Sequence, residues 1–221
     1  MMRRTIVLTG WWLLASSAWS WTAEPPVKRP LTRPGEVNAP PARGERLPDR
    51  LRVGSPAPDF TLADPSGQTT VTLSSFVGKK PVVLMFGSYT CPPFRRQSAD
   101  VEQLYQKYKG KAEFYLVYIR EAHPDSVLYV VKDGQEVLEK IPQTSTLDER
   151  RQRARQCVDS LKLTMPALVD KDDNGVNAAY AGWPNRLVIV GLDGRIAYIS
   201  GPGPAGFKPV EVEEWLKANV R

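Results

Sequence analysis

The chain has 221 residues, of which 42% are hydrophobic and 24% charged, with a net charge of +6, a single His and two Cys. One domain fits this length, and four of the six net positive charges belong to residues 1–50, so the remainder is nearly balanced and offers no basic face for nucleic acid. Two cysteines are too few for a disulfide scaffold, and neither the cysteine spacing nor the lone His suits a zinc-type site, so no bound metal is expected.

In chain order, residues 1–20 read as an export signal. Arg3 and Arg4 form the positive start, and Thr5 to Trp19 is mostly apolar but short for a membrane span. Ala18 and Ser20 are small residues at the two positions a signal peptidase requires, which predicts a mature chain beginning near Trp21 in the periplasm or outside the cell. An uncleaved anchor is the alternative, and only then would the chain hold to a membrane. Residues 21–50 carry Pro25, Pro26, Pro30, Pro34, Pro40, Pro41 and Pro48 among charges, a composition expected to form a disordered tether. The folded domain is expected over residues 51–221.

Within it, Pro56 to Leu62 and Thr70 to Leu73 flank a turn at Asp64-Pro-Ser-Gly67 and predict a hairpin. Val82 to Phe86 is a continuous apolar run of strand length, suited to a strand covered on both faces. After a break at Gly87 and Ser88 come Cys91, Pro92 and Pro93. The prolines suit the first turn of a helix, and Phe94, Val101, Leu104, Tyr105 and Tyr108 continue at helical spacing until Gly110. Ala112 to Ile119 is a second apolar strand. Residues 126–143 are ambiguous: Val127 to Val131 suits a strand, with a turn at Asp133-Gly134. Thr146-Leu-Asp-Glu149 is a capping-box signature opening a helix with an apolar stripe of Leu147, Ala154, Cys157, Val158 and Leu161. A short strand at Ala167 to Val169, a helical turn around Ala178 to Ala181, a hairpin across Gly191 to Gly194 and a closing helix over Val210 to Val220 complete the chain. Strands alternating with helices and ending in a hairpin predict an α/β domain of thioredoxin-like architecture, a mixed sheet with helices on both faces and an N-terminal β-hairpin extension.

Cys91 falls at a helix N-terminus, where unpaired N–H groups and the positive dipole end favour a thiolate, so its pKa is expected below the free-thiol value of about 8.5. His123 follows the second buried strand as Cys91 follows the first. If the two strands are parallel neighbours, both loops open on the edge of the sheet where sites collect. His123 could then exchange a proton beside Cys91, with Glu121 nearby to tune it; an exposed turn His before Pro124 is the other reading. Phe94 stands where a Cys-x-x-Cys pair would have its second sulfur. Cys157 is the only internal thiol left, and its place on an apolar stripe favours packing. Asp170-Lys-Asp-Asp-Asn-Gly175 imitates a calcium loop but carries Ala181 where the bidentate Glu belongs, so it reads as a turn.

The segment Phe86-Gly-Ser-Tyr-Thr-Cys-Pro-Pro-Phe94 resembles the active site of the iodothyronine deiodinases, with Cys91 where those enzymes carry selenocysteine. The resemblance continues through Val117-Tyr-Ile-Arg-Glu-Ala-His-Pro124, Val169 to Asn174, Ala179 to Gly182, Asn185-Arg-Leu187 and the tail from Gly201 to Leu216. It implies a thiol oxidoreductase with Cys91 as nucleophile and His123 and Glu121 managing protons. It also implies a small-molecule substrate, such as a halogenated phenol, and an external thiol as electron donor, with no bound cofactor. Tyr89 stands where animal members commonly place a further Cys. Ser88 and Thr90 beside the thiol, a cis Pro184 facing the site, and Arg186 are the expected substrate contacts, although Arg186 also suits a surface ion pair. A peroxiredoxin-like thiol peroxidase is the alternative enzyme, with Ser88 where those proteins have Thr. A redox-inert binding module is the non-enzymatic one. A homodimer is left open.

Overall fold

The computed structural model describes residues 32–220, so the expected export signal lies outside the described residues. The central sheet is built from β1 (Thr61–Ala63), β2 (Thr70–Thr72), β3 (Val82–Gly87), β4 (Glu113–Tyr118), β7 (Ala167–Val169), β8 (Arg186–Val190) and β9 (Ile196–Ile199). Their order is β2-β1-β7-β4-β3-β8-β9. β3, β4 and β7 run parallel to one another, and β8, β9, β1 and β2 are added by antiparallel pairing. Every residue of β3 is buried, as expected of a central strand with both faces covered. The helices are α1 (Pro92–Tyr108), α2 (Leu147–Leu161), α3 (Gly175–Tyr180) and α4 (Pro209–Asn219). α1 packs against α4, while α2 packs on β7 and on β5 (Ser126–Lys132). This is the mixed sheet with helices on both sides that the element order predicts.

Local chemistry explains the element boundaries. Cys91 is the N-cap of α1, with an extended backbone, and Pro92 and Pro93 occupy the first turn, where a missing N–H costs nothing. Thr146 and Glu149 close a reciprocal capping box on α2. The ambiguous stretch after β4 resolves into a two-stranded antiparallel hairpin, β5 with β6 (Gln135–Ile141), joined by the two residues Asp133-Gly134. Gly87 ends β3 under the ring of Phe94; a Cβ there would stand 2.3 Å from Phe94 Cδ2, so only glycine lets α1 leave the strand this closely.

The expected disordered tether needs correcting over residues 32–50, which lie along the domain and are bonded to it. Val37 pairs with Val127 through two backbone hydrogen bonds of 2.8 Å, and the Ala42 N–H donates to the Ala122 carbonyl. Glu36 forms an ion pair of 2.7 Å with Arg95 on the first turns of α1, and both side chains are nearly buried. The Arg33 and Tyr129 backbone N–H groups donate to the same carboxylate. Low hydrophobicity is a poor guide here because this segment is held by polar bonds and backbone pairing more than by its own apolar side chains.

Burial pushes the Glu36 carboxyl up, but the bonds from Arg33 and Arg95 outweigh it and hold its pKa below the usual value. Its stabilising contribution is therefore complete above the unfolded carboxylate pKa of about 4.3 and disappears as pH falls through the lower folded value. Glu36→Ala, which leaves Arg95 without its partner, is expected to destabilise the domain by about 3 kcal/mol at pH 7. Urea denaturation of wild type and variant should show that gap closing below about pH 4.

Candidate active site

Parallel pairing of β3 with β4 brings the loop after each strand to the same edge of the sheet. Ser88 to Cys91 form one loop and Arg120 to His123 the other, and hydrogen bonds interlock them. The Ala122 N–H donates to Ser88 Oγ at 3.0 Å, and the His123 N–H donates to Thr90 Oγ1 at 3.0 Å. The Thr90 hydroxyl and backbone N–H both donate to Glu121 Oε2, at 2.6 and 2.9 Å. Tyr118 donates to the other carboxylate oxygen and accepts the Tyr89 N–H. Gln143 braces the Glu121 backbone from outside, accepting its N–H and donating to its carbonyl. Glu121 is wholly buried, and desolvation pushes its pKa up against the hydrogen bonds from Thr90 and Tyr118.

His123 is partly buried, and its Nδ1 lies 2.7 Å from the Ala39 carbonyl oxygen. A carbonyl can only accept, so Nδ1 carries the proton and the neutral ring keeps its lone pair on Nε2. The segment expected to trail as a tether thus fixes the tautomer of the expected proton-handling group.

Cys91 is 1% exposed. Burial pushes its thiol up to about 12, against the nearby Phe94 N–H and the hydrogen bond from the Asn185 amide, which favour the anion; the nearby Glu121 charge raises it further. This corrects the expectation of an acidic thiol, because with the site closed desolvation outweighs the helix terminus. Cys157 is free and buried in α2, and burial followed by the Glu121 charge raises its thiol too.

The expected substrate contacts divide. The Trp183–Pro184 bond is cis, in agreement with the expectation. Ser88 and Thr90 are fully buried, with their hydroxyls engaged between the two loops, so they serve as scaffold behind the thiol. Arg186 is 1% exposed and is neither a surface ion pair nor an open substrate contact. Its guanidinium donates to the carbonyls of Ser200, Tyr180 and Ala181 and to Asp49 Oδ2. Asn185 is the group to which the sequence assigns no role: its Nδ2 donates to Cys91 Sγ at 3.2 Å. Its position immediately after a proline expected to be cis and to face the site is the available signal.

The model of the iodothyronine deiodinase family matches residues 42–220. The chain belongs to that family. A thyroxine 5-deiodinase of Gallus gallus is 36% identical over 165 residues, covering 74% of this chain and 62% of that protein. The Homo sapiens thyroxine 5-deiodinase is 33% identical over 168 residues, covering 74% of this chain and 52% of the relative. The chain thus spans between half and two thirds of the length of these relatives. Among solved structures, the thioredoxin domain of a thiol-disulfide oxidoreductase from Bacteroides vulgatus superposes with a TM-score of 0.52 at 20% identity, covering 75% of this chain and 98% of that one. A secreted disulfide oxidoreductase of Mycobacterium tuberculosis gives a TM-score of 0.52 at 19% identity, over 72% of this chain and 95% of the other. These structural likenesses establish the thioredoxin-like fold of this deiodinase-family domain.

With the thiol neutral and enclosed, iodoacetamide at pH 7 is expected to alkylate native Cys91 at least ~10-fold more slowly than a free cysteine of pKa about 8.5. Mass spectrometry of the Cys91 peptide, native against unfolded, measures this. Equal rates would mean that the enclosed thiol is not the state in solution.

Proposed function

We propose that this deiodinase-family domain is a thiol-dependent oxidoreductase that uses Cys91 as its one reacting sulfur, in reductive removal of iodine from an iodinated phenol. The position of Cys91 carries this reading. It caps α1 beside the cis-Pro184 loop, in a chain of deiodinase sequence, and its neighbour Thr90 is bonded to both Glu121 and His123.

The chemistry balances with an external thiol. Iodine passes from carbon to sulfur as the carbon–iodine bond breaks, and the carbon takes up the proton that the thiol gives up, leaving a sulfenyl iodide. A first reductant thiol attacks that sulfur, releasing iodide and a proton and forming a mixed disulfide. A second reductant thiol frees Cys91 and leaves as the oxidised reductant. Substrate entry must overcome the desolvation that keeps the thiol neutral. The proton handling falls to His123, through Nε2, with Glu121 buried behind Thr90 as the group that sets the field. Selenium replaced by sulfur gives a weaker nucleophile, so peroxide stands as the second substrate class. In that case sulfur would take one peroxide oxygen, release an alcohol or water, and return from sulfenic acid through the same external thiol. Residues 1–20 are assigned to export, and the electron donor would then belong to the periplasm or exterior.

The test is a panel of an iodinated phenol, hydrogen peroxide and an oxidised protein disulfide, each with excess dithiothreitol. Iodide release should disappear in Cys91→Ser, because an alcohol is scarcely ionised at neutral pH. It should survive Cys157→Ala, apart from a stability loss of about 1 kcal/mol for a small buried truncation. Peroxide consumption without iodide release would select the peroxidase reading. Activity above the Cys91→Ser background with neither would reject both. A Cys91–Cys157 disulfide as the main oxidised species would replace the one-thiol cycle with an internal pair. Intact Met1 on soluble cytoplasmic protein would end the assignment to export.

A further inference from the structure

We propose that Asn185 is a catalytic residue of this chain, whose side-chain amide N–H holds the Cys91 sulfur as a thiolate while it reacts. The inference rests on the reading of Cys91 as the nucleophile, and adds the group that makes a buried thiolate tolerable.

A thiolate enclosed by protein needs donors aimed at it in place of water. Among the described residues, the donor in hydrogen-bond geometry with the sulfur is Asn185 Nδ2, at 3.2 Å from Sγ. The Phe94 backbone N–H in the first turn of α1 also favours the anion, but Cys91 accepts no helix-cap hydrogen bond. The charged groups that act on the sulfur are Glu121 from the β4 loop, which opposes ionisation, and Arg95 from α1, which favours it. Arg95 is already paired with Glu36, so its charge is largely answered. Asn185 is therefore the side-chain donor to the sulfur, and it is neutral, so it can serve a thiolate without an ion of its own to desolvate.

The surroundings of Asn185 fix it in that role. The residue is 0% exposed. Its Oδ1 is buried and has no hydrogen-bond partner among the described residues. A buried acceptor left unpaired costs stability, so packing must hold the amide in this orientation. Gly203 supplies part of that packing: its N–H donates to the Asn185 carbonyl, and a Cβ at position 203 would stand 1.7 Å from Oδ1. The following Arg186 is pinned by its four acceptors. The amide is thus presented to the sulfur by a backbone held on both sides, the preorganisation that an anion hole requires.

The test reads the sulfur directly and needs no natural substrate. In a Cys157→Ala background, so that one thiol is followed, the rate of Cys91 alkylation is compared across about pH 7 to 9, below the midpoint of the enclosed thiol, in wild type, Asn185→Ala and Asn185→Asp. Loss of the donor should raise the midpoint by about one pH unit, read as ~10-fold slower alkylation at each pH below it. Asn185→Asp keeps the shape but places a carboxylate on the sulfur, and should move it further than Asn185→Ala. A packing role would give no such order, since the aspartate is nearly isosteric. Near-UV circular dichroism confirms folding; if the aspartate variant does not fold, the alanine variant carries the measurement. An unchanged profile in a folded variant would overturn the proposal. If the midpoint moves but wild type releases no iodide, the role of Asn185 stands and the dehalogenation reading falls. If iodide is released but the midpoint does not move, dehalogenation stands and Asn185 loses its role.

Discussion

A carboxyl group buried with no cation bonded to it among the described residues organises the active edge of this domain. Glu121 is 0% exposed, and its side-chain hydrogen bonds come from the Thr90 N–H, the Thr90 hydroxyl and the Tyr118 hydroxyl. Removing a carboxyl from water is expensive unless donors replace that water, so each of those bonds is obligatory. Two of them originate in the residue before Cys91. The loop that carries the thiol therefore cannot move independently of the loop that carries His123, whose N–H closes the circuit on the same Thr90 hydroxyl. Without that carboxyl, β3 and β4 would still pair and Ser88 would still hold Ala122, but the Thr90 N–H and hydroxyl beside Cys91 would lose their acceptor.

Two effects compete at the sulfur, and their magnitudes decide the outcome. A helix terminus favours an anion by up to ~2 kcal/mol in partly buried geometry. The thiol nevertheless rises to about 12 on burial, and such a rise corresponds to roughly 4 kcal/mol against the thiolate. Desolvation wins while the site is closed. A thiol kept neutral at rest is protected from adventitious oxidation, since reactivity follows the thiolate. The same arrangement makes directed donors more valuable than a diffuse dipole, because a hydrogen bond acts at full strength where water is excluded.

Much of this is legible in the sequence. The apolar run Val82 to Phe86 is β3, the prolines after Cys91 are the first turn of α1, and Thr146 with Glu149 is a capping box. Those signals are local, governed by periodicity and caps. The loops after β3 and β4 can be placed on one edge because parallel strands leave little choice. What is not legible depends on burial. Ser88, Thr90 and Arg186 lie in the neighbourhood of the site but face inward. Only the packed fold reveals that Ser88 and Thr90 are spent on Ala122 and Glu121, and Arg186 on Asp49 and the carbonyls of Tyr180, Ala181 and Ser200. Asn185 carries no task in the sequence, since nothing there measures its distance to a sulfur in another segment. The direction of the Cys91 shift is hidden for the same reason: helix position can be read from sequence, enclosure cannot.

The segment 32–50 shows where composition misleads most. Proline and charge usually mark a chain that cannot bury enough apolar surface to remain ordered. Here order comes instead from partners at fixed points along the edge of the site. Glu36 bonds Arg95 on α1, Ala39 receives the His123 ring, Ala42 bonds Ala122, and Asp49 takes the Arg186 guanidinium. Proline helps in such a segment, because a chain that is already extended loses less entropy when it is laid down. Two bonded routes then run from this segment to the sulfur. One passes from Ala39 through His123 and Thr90 to Cys91; the other runs from Asp49 through Arg186 and Asn185 to Sγ. The ring that would handle the proton and the amide that touches the sulfur are therefore both positioned from one strand of chain. Lifting that strand would release the His123 tautomer and loosen the Asn185 backbone together, so the order of this N-terminal segment and the chemistry of Cys91 form a single structural problem.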